Sequence, residues 1–384
     1  MNAFALTNAG IEDIAAAEIK ELVIAANIRG SSSVVTFDIK DFKDFCVLAY
    51  RSQSLSRLCY SICEFEAATS LVAAIKNLKL KLRNFKISDW AEKDFVVECE
   101  RRGKHDFNSH DFSIAANNLI SEISGNDNVN FKSPSLRFFC CINDNKGFFG
   151  IDVAGFDLSK RDYRIFGHSS DLKATVAYAM LRMAGFKRST ALLDPFCRSG
   201  AIAIEAALFG SGFPVNYYRK DSFSFLNLKP FSPINFKSFF AAVDKKIETE
   251  KLKIFNYSPS IANVRSSEKN AKIAGINKVI NFARVDLEWL ELKFEHGTVD
   301  DIVSYPPLLS KSTDASKIKR LYPEFFYQAS LILSKKGRIV VAAHDADALT
   351  EAAAKHDFKL SSKMQFSMGE EKMIALVFVG SWGK

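Results

Sequence analysis

The chain has 384 residues, 48% of them hydrophobic and 25% charged, which is typical of a globular protein with two or three domains. Its formal net charge is +8 and its pI is near 9.0, so the charge is compatible with a polyanionic partner but does not require one. No uninterrupted apolar run reaches about 18 residues, which excludes a membrane-spanning helix.

The first 65 residues are typical of a small domain in which strands and helices alternate. Strands are predicted over residues 3–7, 33–38 and 57–65, and helices over 11–25 and 40–50. This opening segment contains acidic residues and lacks a basic start, which argues against a signal peptide and predicts a cytoplasmic protein. No catalytic residue type stands out in this region, so a spacer or orienting role is favoured.

Residues 66–155 contain the run RRGKHDFNS at 101–109, which lies between a predicted strand over 95–100 and a predicted helix over 111–123. Ser109 or His110 is expected near the N-cap of that helix. Arg101, Arg102 and Lys104 lie beside a turn, and clustered cations bind phosphates without reading sequence. His105 either contacts a nucleic acid or is packed and hydrogen-bonded within the fold, which is the commoner case for such a histidine.

The run DLSKRDYR at 157–164 follows this region and carries three cations. In one interpretation Lys160, Arg161 and Arg164 line a nucleic-acid path between two domains. In the other they pair with Asp157 and Asp162 and fix the orientation of the domains. The residues alone leave both interpretations open.

The C-terminal half opens with ALLDPFCRSGAIAIEAAL at 191–208, which predicts a strand, a tight loop of small residues and a helix. Backbone N–H groups at such a helix N-terminus favour an anionic group. A Phe-, Lys- and Ser-rich insertion over 209–250 follows. Strands are then predicted over 252–257, 279–285, 301–305 and 338–343, helices over 261–274, 315–333 and 346–355, and two final strands over 358–365 and 373–379. The alternation predicts a mostly parallel sheet.

The cysteines indicate neither a disulfide framework nor a metal site. None belongs to a Cys-x-x-Cys pair and the spacing matches no zinc pattern, so no metal is predicted. An odd count favours reduced thiols in the cytoplasm. The seven are Cys46, Cys59, Cys63, Cys99, Cys140, Cys141 and Cys197.

Three of these motifs together resemble a known family. DPFCRSGAIAIEAA is similar to Asp-Pro-x-Cys-Gly-Ser/Thr-Gly followed by Ile-Glu-Ala, and RRGKHDFNS to Arg-x-Gly-x-His-x-Phe-x-Ser. With DLSKRDYR, they resemble class I, S-adenosylmethionine-dependent RNA methyltransferases that carry an N-terminal THUMP domain, such as archaeal and bacterial tRNA guanine-N2 methyltransferases. The resemblance implies an α/β protein with a ferredoxin-like subdomain (1–65), a THUMP RNA-binding domain (66–155), a linker (156–172) and a Rossmann-like seven-stranded methyltransferase domain (173–384).

The resemblance also implies a cofactor site for S-adenosylmethionine, with two departures from the family pattern. Arg198 stands where the family has the first loop glycine, which lets the backbone approach the cofactor. Ser258 falls at or near the acid that binds the ribose hydroxyls, and a neutral hydroxyl cannot make a charge-assisted pair. The cofactor-binding positions that the resemblance implies are Asp194, Phe196, Arg198, Ser199, Gly200, Ser258 and Asp286.

A third departure lies in the catalytic tetrapeptide, which in the family reads Asn/Asp-Pro-Pro-Tyr/Phe. Its polar side chain and first proline carbonyl accept hydrogen bonds from the target amine, and its aromatic ring stacks on the base. Here the tetrapeptide is Tyr305-Pro306-Pro307-Leu308. Tyr305 therefore replaces the acceptor, and Leu308 replaces the stacking ring.

Two hypotheses follow from these departures. The favoured one is an RNA-binding family member whose catalysis is lost or impaired, with tRNA as the expected RNA. Under this hypothesis the cofactor is absent, and the chain could also bind a protein partner. The alternative is an active tRNA guanine-N2 methyltransferase that uses S-adenosylmethionine in an atypical site. A dinucleotide-dependent oxidoreductase is a poor match, because the chain has no Gly-x-Gly-x-x-Gly motif.

Overall fold

The structure is a computed structural model that describes residues 1–90, 94–308, 315–369 and 371–381. Its helices and strands are, in chain order, β1 (Asn2–Leu6), α1 (Glu12–Leu22), β2 (Ala26–Ser31), β3 (Val34–Asp38), α2 (Phe42–Arg51), β4 (Arg57–Glu66), α3 (Leu71–Lys81), β5 (Phe95–Arg102), α4 (Ser109–Ser124), β6 (Leu136–Asn143), β7 (Lys146–Asp152), α5 (Ala174–Ala184), β8 (Leu192–Asp194), α6 (Ala201–Gly210), α7 (Phe236–Asp244), β9 (Ile254–Ser258), α8 (Ile261–Ile273), β10 (Ile280–Arg284), β11 (Val299–Ser304), α9 (Ala315–Ile332), β12 (Leu333–Ala343), α10 (Asp347–Ala354), β13 (Phe358–Met368) and β14 (Glu371–Gly380).

The chain divides into two compact units, each built on one seven-stranded sheet. The first unit comprises Met1–Thr7, Ala15–Leu158 and Asn216–Val243. Its strand order is β2-β3-β1-β4-β7-β6-β5, and every neighbouring pair is antiparallel except β5 with β6. Strands from the first 65 residues and strands from residues 66–155 therefore share one sheet. The boundary predicted between those two regions stays a prediction.

The insertion after α6 is part of the first unit's core. Its aromatic side chains Phe223, Phe225 and Phe231 are at most 1% exposed and belong to the same apolar cluster as the sheet residues Phe95 and Phe138. The rings of Phe223 and Phe225 stack with centroids 4.6 Å apart. Burial of such large rings is a major stabilising contribution. A segment that lies between two strands of the second sheet in the sequence thus stabilises the first unit.

The helix α4 begins at Ser109, two residues before the predicted start at residue 111. Its N-cap is Asn108, and neither Ser109 nor His110 holds that position. The Asn108 side chain accepts from the N–H groups of His110 and Asp111, and the Asp111 carboxylate accepts from the N–H of Asn108, 3.0 Å away. This reciprocal capping box fixes the turn directly after the basic run.

The second unit comprises Asn8–Ile14, Ser159–Val215 and Asp244–Lys384. Its strand order is β10-β9-β8-β11-β12-β14-β13, with β8 to β12 parallel and β14 antiparallel to both neighbours. The predicted α/β fold class, with a mostly parallel C-terminal sheet, is confirmed. Because the connections are helical, the central strands are covered and almost wholly apolar, as in Val340 and Val341 of β12.

The loop between β8 and α6 depends on Gly200. Its φ is +87°, a conformation that costs a side-chain-bearing residue energy. A Cβ at this position would lie 2.2 Å from the Oγ of Ser267 on α8. The glycine therefore allows the backbone at the start of α6 to lie directly against Ser267 of α8. Within the described residues, no helix is long and apolar enough to cross a membrane.

Candidate cofactor and catalytic site

The predicted site residues of the second unit meet at the carboxyl ends of its parallel strands. Asp194 ends β8, Ser258 ends β9, and Tyr305 directly follows β11. These strands are neighbours in the sheet, in the order β9, β8, β11. Ligands of open α/β sheets bind at this edge, where the chain reverses its direction of travel across the sheet. The fold thus brings together three positions that lie far apart in sequence.

Asp194 is buried and holds the turn that follows β8. Its Oδ1 accepts from the Ser304 hydroxyl at 2.5 Å and from the Phe196 N–H at 3.2 Å. Burial raises the pKa of Asp194 to about 6, while the hydrogen bond from Ser304 opposes that shift. The Oδ1 atom of Asp194 thus links the end of β11 to the turn after β8.

Arg198 extends across the site and binds both of its sides. Its Nη1 donates to the carbonyl of Ser170 at 2.8 Å, and its Nη2 donates to the carbonyl of Pro306 at 3.3 Å. Its guanidinium carbon lies 4.1 Å from the centroid of the Tyr305 ring. Burial lowers the pKa of Arg198, against the nearby charges that favour its charged form. One side chain therefore links the loop between β8 and α6 (residues 195–200, the glycine loop), the segment before α5 and the catalytic tetrapeptide.

Asp171 closes the opposite end of the glycine loop. Its Oδ1 accepts from the Ser199 N–H at 3.2 Å, and its Oδ2 accepts from the His168 N–H at 2.7 Å. Arg164 lies 3.7 Å from the same carboxylate. Because α5 begins at Ala174, Asp171 lies in the loop that precedes this helix. A carboxylate of the chain already occupies an N–H group of the glycine loop.

The cavity between these groups measures about 20 Å³. That is room for about one water molecule. Its lining includes Asp171, Asp194, Arg198 and Tyr305. In this arrangement the residues do not fit the methionine part of S-adenosylmethionine, because the Arg198 side chain fills the space that a glycine would leave open.

Of the two positions expected to bind the ribose and the adenine, only the adenine position carries a carboxylate. Ser258 is 2% exposed, and its hydroxyl accepts from the Ser260 N–H at 3.3 Å. Its backbone carbonyl accepts from the N–H of Val285, so Asp286 follows close by. Asp286 is exposed and precedes a short 3-10 helix, Leu287–Leu292, without capping it through its side chain. Asp286 can therefore accept hydrogen bonds from a ligand, whereas Ser258 offers only a buried neutral hydroxyl.

In the catalytic tetrapeptide both proline carbonyls are engaged. The Pro306 carbonyl accepts from Arg198, and the Pro307 carbonyl accepts from the Tyr322 hydroxyl at 2.9 Å. Tyr305 is 7% exposed beneath the guanidinium, and burial raises the pKa of its hydroxyl. Leu308 is half-buried and packs against apolar clusters on both sides of the sheet. The groups expected to bind a target amine and its base are occupied within the chain.

The basic run of the first unit is divided between structural and exposed residues. Arg101 Nη1 donates to the Gly103 carbonyl at 2.6 Å and contacts His105 Nδ1 at 2.9 Å, while His105 Nε2 lies 2.8 Å from the Asp144 carbonyl. Since Arg101 can only donate, His105 Nδ1 accepts and its Nε2 donates. Arg102 contacts the Ser33 hydroxyl. Lys104 is exposed.

The three linker cations also differ. Lys160 is exposed, and Arg164 is half-buried beside Asp171. Arg161 is buried, and its Nε and Nη2 donate to the two carboxylate oxygens of Glu205 at 3.0 and 3.2 Å. A side chain enclosed in this way does not reach an RNA surface. Arg161 fixes the linker to α6 instead, through an acid that the sequence interpretation had not singled out.

Sequence reasoning also missed Ser170, Asp171, Asn270 and Tyr322. Each acts through its backbone or through an ordinary polar side chain, and no motif spacing marks them. Asn270 could have been found, because a buried amide in a helix needs several partners. It accepts from the Phe166 N–H and donates to the carbonyls of Phe166 and Ser199.

The sheet order, the glycine loop after its first strand and the proline pair after its fourth define a class I methyltransferase-type domain. The chain belongs to the RMKL-like methyltransferase domain family, which matches residues 161–373, and a THUMP domain matches residues 72–152. The family resemblance predicted from the motifs is thus confirmed.

The relatives with assigned activities have low sequence identity to this chain, but two of them align with most of its length. The chain is 26% identical to a tRNA (guanine(6)-N2)-methyltransferase of Archaeoglobus fulgidus, over 91% of this chain and 85% of that protein. It is also 26% identical to the protein of that name from Methanocaldococcus jannaschii, over 77% and 79%. A ribosomal RNA large subunit methyltransferase K/L of Vibrio parahaemolyticus is 24% identical over 68% of this chain, which spans only 35% of that protein.

Solved structures share the whole fold. A possible methylase from Clostridium difficile 630 has a TM-score of 0.82 at 22% identity, covering 99% of this chain and 98% of its own. The SMU.472 protein in complex with S-adenosylhomocysteine has a TM-score of 0.80 at 19% identity, covering 100% and 99%. At these identities the likeness establishes the fold alone.

Proposed function

We propose that this protein is an RNA-binding member of the THUMP methyltransferase family in which S-adenosylmethionine-dependent methyl transfer is lost or impaired. The observation that carries the proposal is the contact of Arg198 with the Pro306 carbonyl, at 3.3 Å. One side chain both fills the cofactor pocket and takes the acceptor that a target amine needs. RNA, with tRNA as the expected class, is the proposed partner, and the cytoplasm is the proposed location.

The chemistry of amine methylation supports this proposal. A nitrogen attacks the methyl group only when its lone pair is freed and aimed, which requires acceptors positioned around the amine. Here Pro306 already accepts from Arg198, and Tyr305 packs its ring against the same guanidinium. Leu308 supplies apolar contact in place of a stacking ring, and stacking is worth about 1–3 kcal/mol per base.

The first unit carries the proposed RNA binding. It contains the THUMP match, and the full chain has a net charge of +8. Within this unit the exposed Lys104 is the proposed phosphate contact, with Arg102 as a further candidate beside it. The exposed Lys160 belongs to the second unit and is a separate proposed phosphate contact there. Arg101 and His105 are held within the turn, so we propose that they shape the surface that Lys104 presents.

The second candidate function is an active tRNA guanine-N2 methyltransferase with an atypical site. The archaeal relatives favour it, because they carry that activity in their names and match this chain over 79% and 85% of their own length. For this function the Arg198 side chain must leave the pocket when the cofactor binds. Asp286 would then be the acid that contacts the adenine.

Titration calorimetry with S-adenosylmethionine, followed by methyl transfer to unmodified tRNA, distinguishes the two functions. We expect no cofactor binding at concentrations up to about 1 mM and no methyl incorporation, while gel mobility shift detects tRNA binding that weakens with salt. Micromolar cofactor binding together with methyl incorporation would establish the active enzyme. Absence of tRNA binding by the folded protein would overturn the RNA-binding proposal.

A further inference from the structure

We infer that Asp171 and Arg198 act as a built-in occupant of the cofactor pocket and determine whether it accepts S-adenosylmethionine. Their two charged groups stand where the carboxylate and the cationic sulfonium of the cofactor's methionine part would need to bind. The inference deepens the proposed function. It rests on that function in one respect, because both hold that the chain's own side chains keep S-adenosylmethionine out of the pocket. It makes a separate prediction about these two side chains.

The anionic half of the occupant is Asp171. A loop that opens into a helix presents N–H groups that favour an anion. The Asp171 Oδ1 accepts from one of them, the N–H of Ser199. Its second oxygen accepts from the His168 N–H, and Arg164 lies 3.7 Å away. An incoming carboxylate would therefore have to displace a carboxylate that has three partners already.

The cationic half is Arg198. Its guanidinium lies over the face of Tyr305, where the ring attracts a positive charge, and it donates to the Pro306 carbonyl. A methyl donor brought to the tetrapeptide must place its own positive sulfur near these groups. The chain thus supplies a cation at the position that the cofactor's cation requires. Both substitutions, Arg198 and Tyr305, contribute to the same contact.

The segment that carries Ser170 and Asp171 is itself anchored to the glycine loop. Asn270, which is buried on α8, accepts from the Phe166 N–H at 3.0 Å and donates to the Phe166 carbonyl at 2.9 Å. The same amide donates to the Ser199 carbonyl at 2.9 Å. The Lys269 ammonium lies 4.8 Å from the centroid of the Phe166 ring. Residues of α8 outside the pocket therefore hold the segment that carries Asp171, so its position does not depend on the Arg198 contact alone.

Cofactor affinity in a matched set of variants tests the inference. S-adenosylmethionine is titrated calorimetrically into the wild-type chain, R198A, D171A and R198A/D171A, and S-adenosylhomocysteine is the uncharged-sulfur comparison. R265A, which removes an exposed arginine of α8, is the control. We expect R198A to bind S-adenosylmethionine at least tenfold more tightly than the wild type and the control, and the double variant to bind more tightly than R198A.

The ratio of affinities separates this inference from the proposed function. If the wild type binds the cofactor and methylates tRNA, the proposed function fails, but a tenfold gain in R198A still supports the occupant. Equal affinity in the wild type, R198A and the double variant overturns the occupant, whatever the wild type's activity. Thermal unfolding with and without tRNA verifies that each variant is folded, and R198G replaces R198A if the latter does not fold.

Discussion

The guanidinium of Arg198 lies over the ring of Tyr305, with 4.1 Å between the guanidinium carbon and the ring centroid. The two residues belong to different motifs, one in the loop after β8 and the other directly after β11. Each departs from the pattern of the family, and each would be hard to accommodate alone. An arginine in the pocket needs partners for its charge, and a buried tyrosine ring needs a neighbour in place of the ligand. Their contact satisfies both needs.

A double-mutant cycle should detect this coupling. We compare R198M, Y305L and the double variant with the wild type by urea unfolding. A cation–π contact that is largely shielded from water contributes about 1–2 kcal/mol. The sum of the stability losses of the two single variants should therefore exceed the loss of the double variant by about that amount. Additive losses would mean that the two side chains are neighbours without an energetic link.

Stability should fall as the pH rises through the titration of Asp194. Burial raises the pKa of this carboxyl to about 6, above the value of 3.8 of an exposed one. The folded state therefore binds more protons than the unfolded state between these values, so stability decreases with pH there. The stability present below pH 4 should be lost by pH 7, with about 3 kcal/mol as the order of magnitude.

D194N removes this titration and preserves the shape of the side chain, so the difference between wild type and D194N isolates it. Asp301 has a pKa raised to about 7 by burial and contributes in the same direction, which makes D301N the second comparison. Urea unfolding of the three proteins between pH 4 and pH 7 gives the profiles. A wild-type profile parallel to that of D194N would contradict the shifted pKa.

The fold of the second unit was predictable because its strands and helices alternate in long, strongly apolar segments. The edge strand β2 was missed, since its sequence ANIRGS is almost entirely exposed and carries no apolar alternation. The role of the insertion was also not readable. A Phe-rich segment indicates burial, but the pattern does not reveal that Phe223 and Phe231 join the core of the first unit.

The altered positions of the site were predictable one at a time, whereas their contacts were not. Arg198 and Ser258 were identified because motif spacing fixes them. The partner of Arg198 at Pro306 is 108 residues away, and the partner of Asp171 at Ser199 is 28 residues away. Such contacts depend on how the strand ends meet at the edge of the sheet, which the spacing of motifs does not encode.

The basic turn of the first unit should separate RNA affinity from stability. K104A removes an exposed cation, so we expect weaker tRNA binding, a salt slope smaller by about 0.9 and unchanged stability. H105A removes the bonds to Arg101 and Asp144, which should cost about 1–3 kcal/mol of stability. Filter binding over a salt series and thermal unfolding measure the two effects, with K43A of α2 as the control. Equal tRNA binding by K104A and K43A would remove Lys104 from the interface.

Loss of the charge on Glu205 should destabilise the protein strongly, because its ion pair with Arg161 is buried. Both side chains are 0% exposed, and the Tyr163 hydroxyl also donates to Glu205, at 2.8 Å. E205Q keeps the size of the side chain but leaves a buried guanidinium without its counter-charge, so it should lose about 3–5 kcal/mol of stability. E351Q removes one partner of the exposed pair between Glu351 and Lys355 and is the matched control, for which no measurable loss is expected. Urea unfolding of both variants gives the comparison. An E205Q protein as stable as E351Q would mean that water reaches Arg161, and it would return that arginine to the candidates for RNA contact.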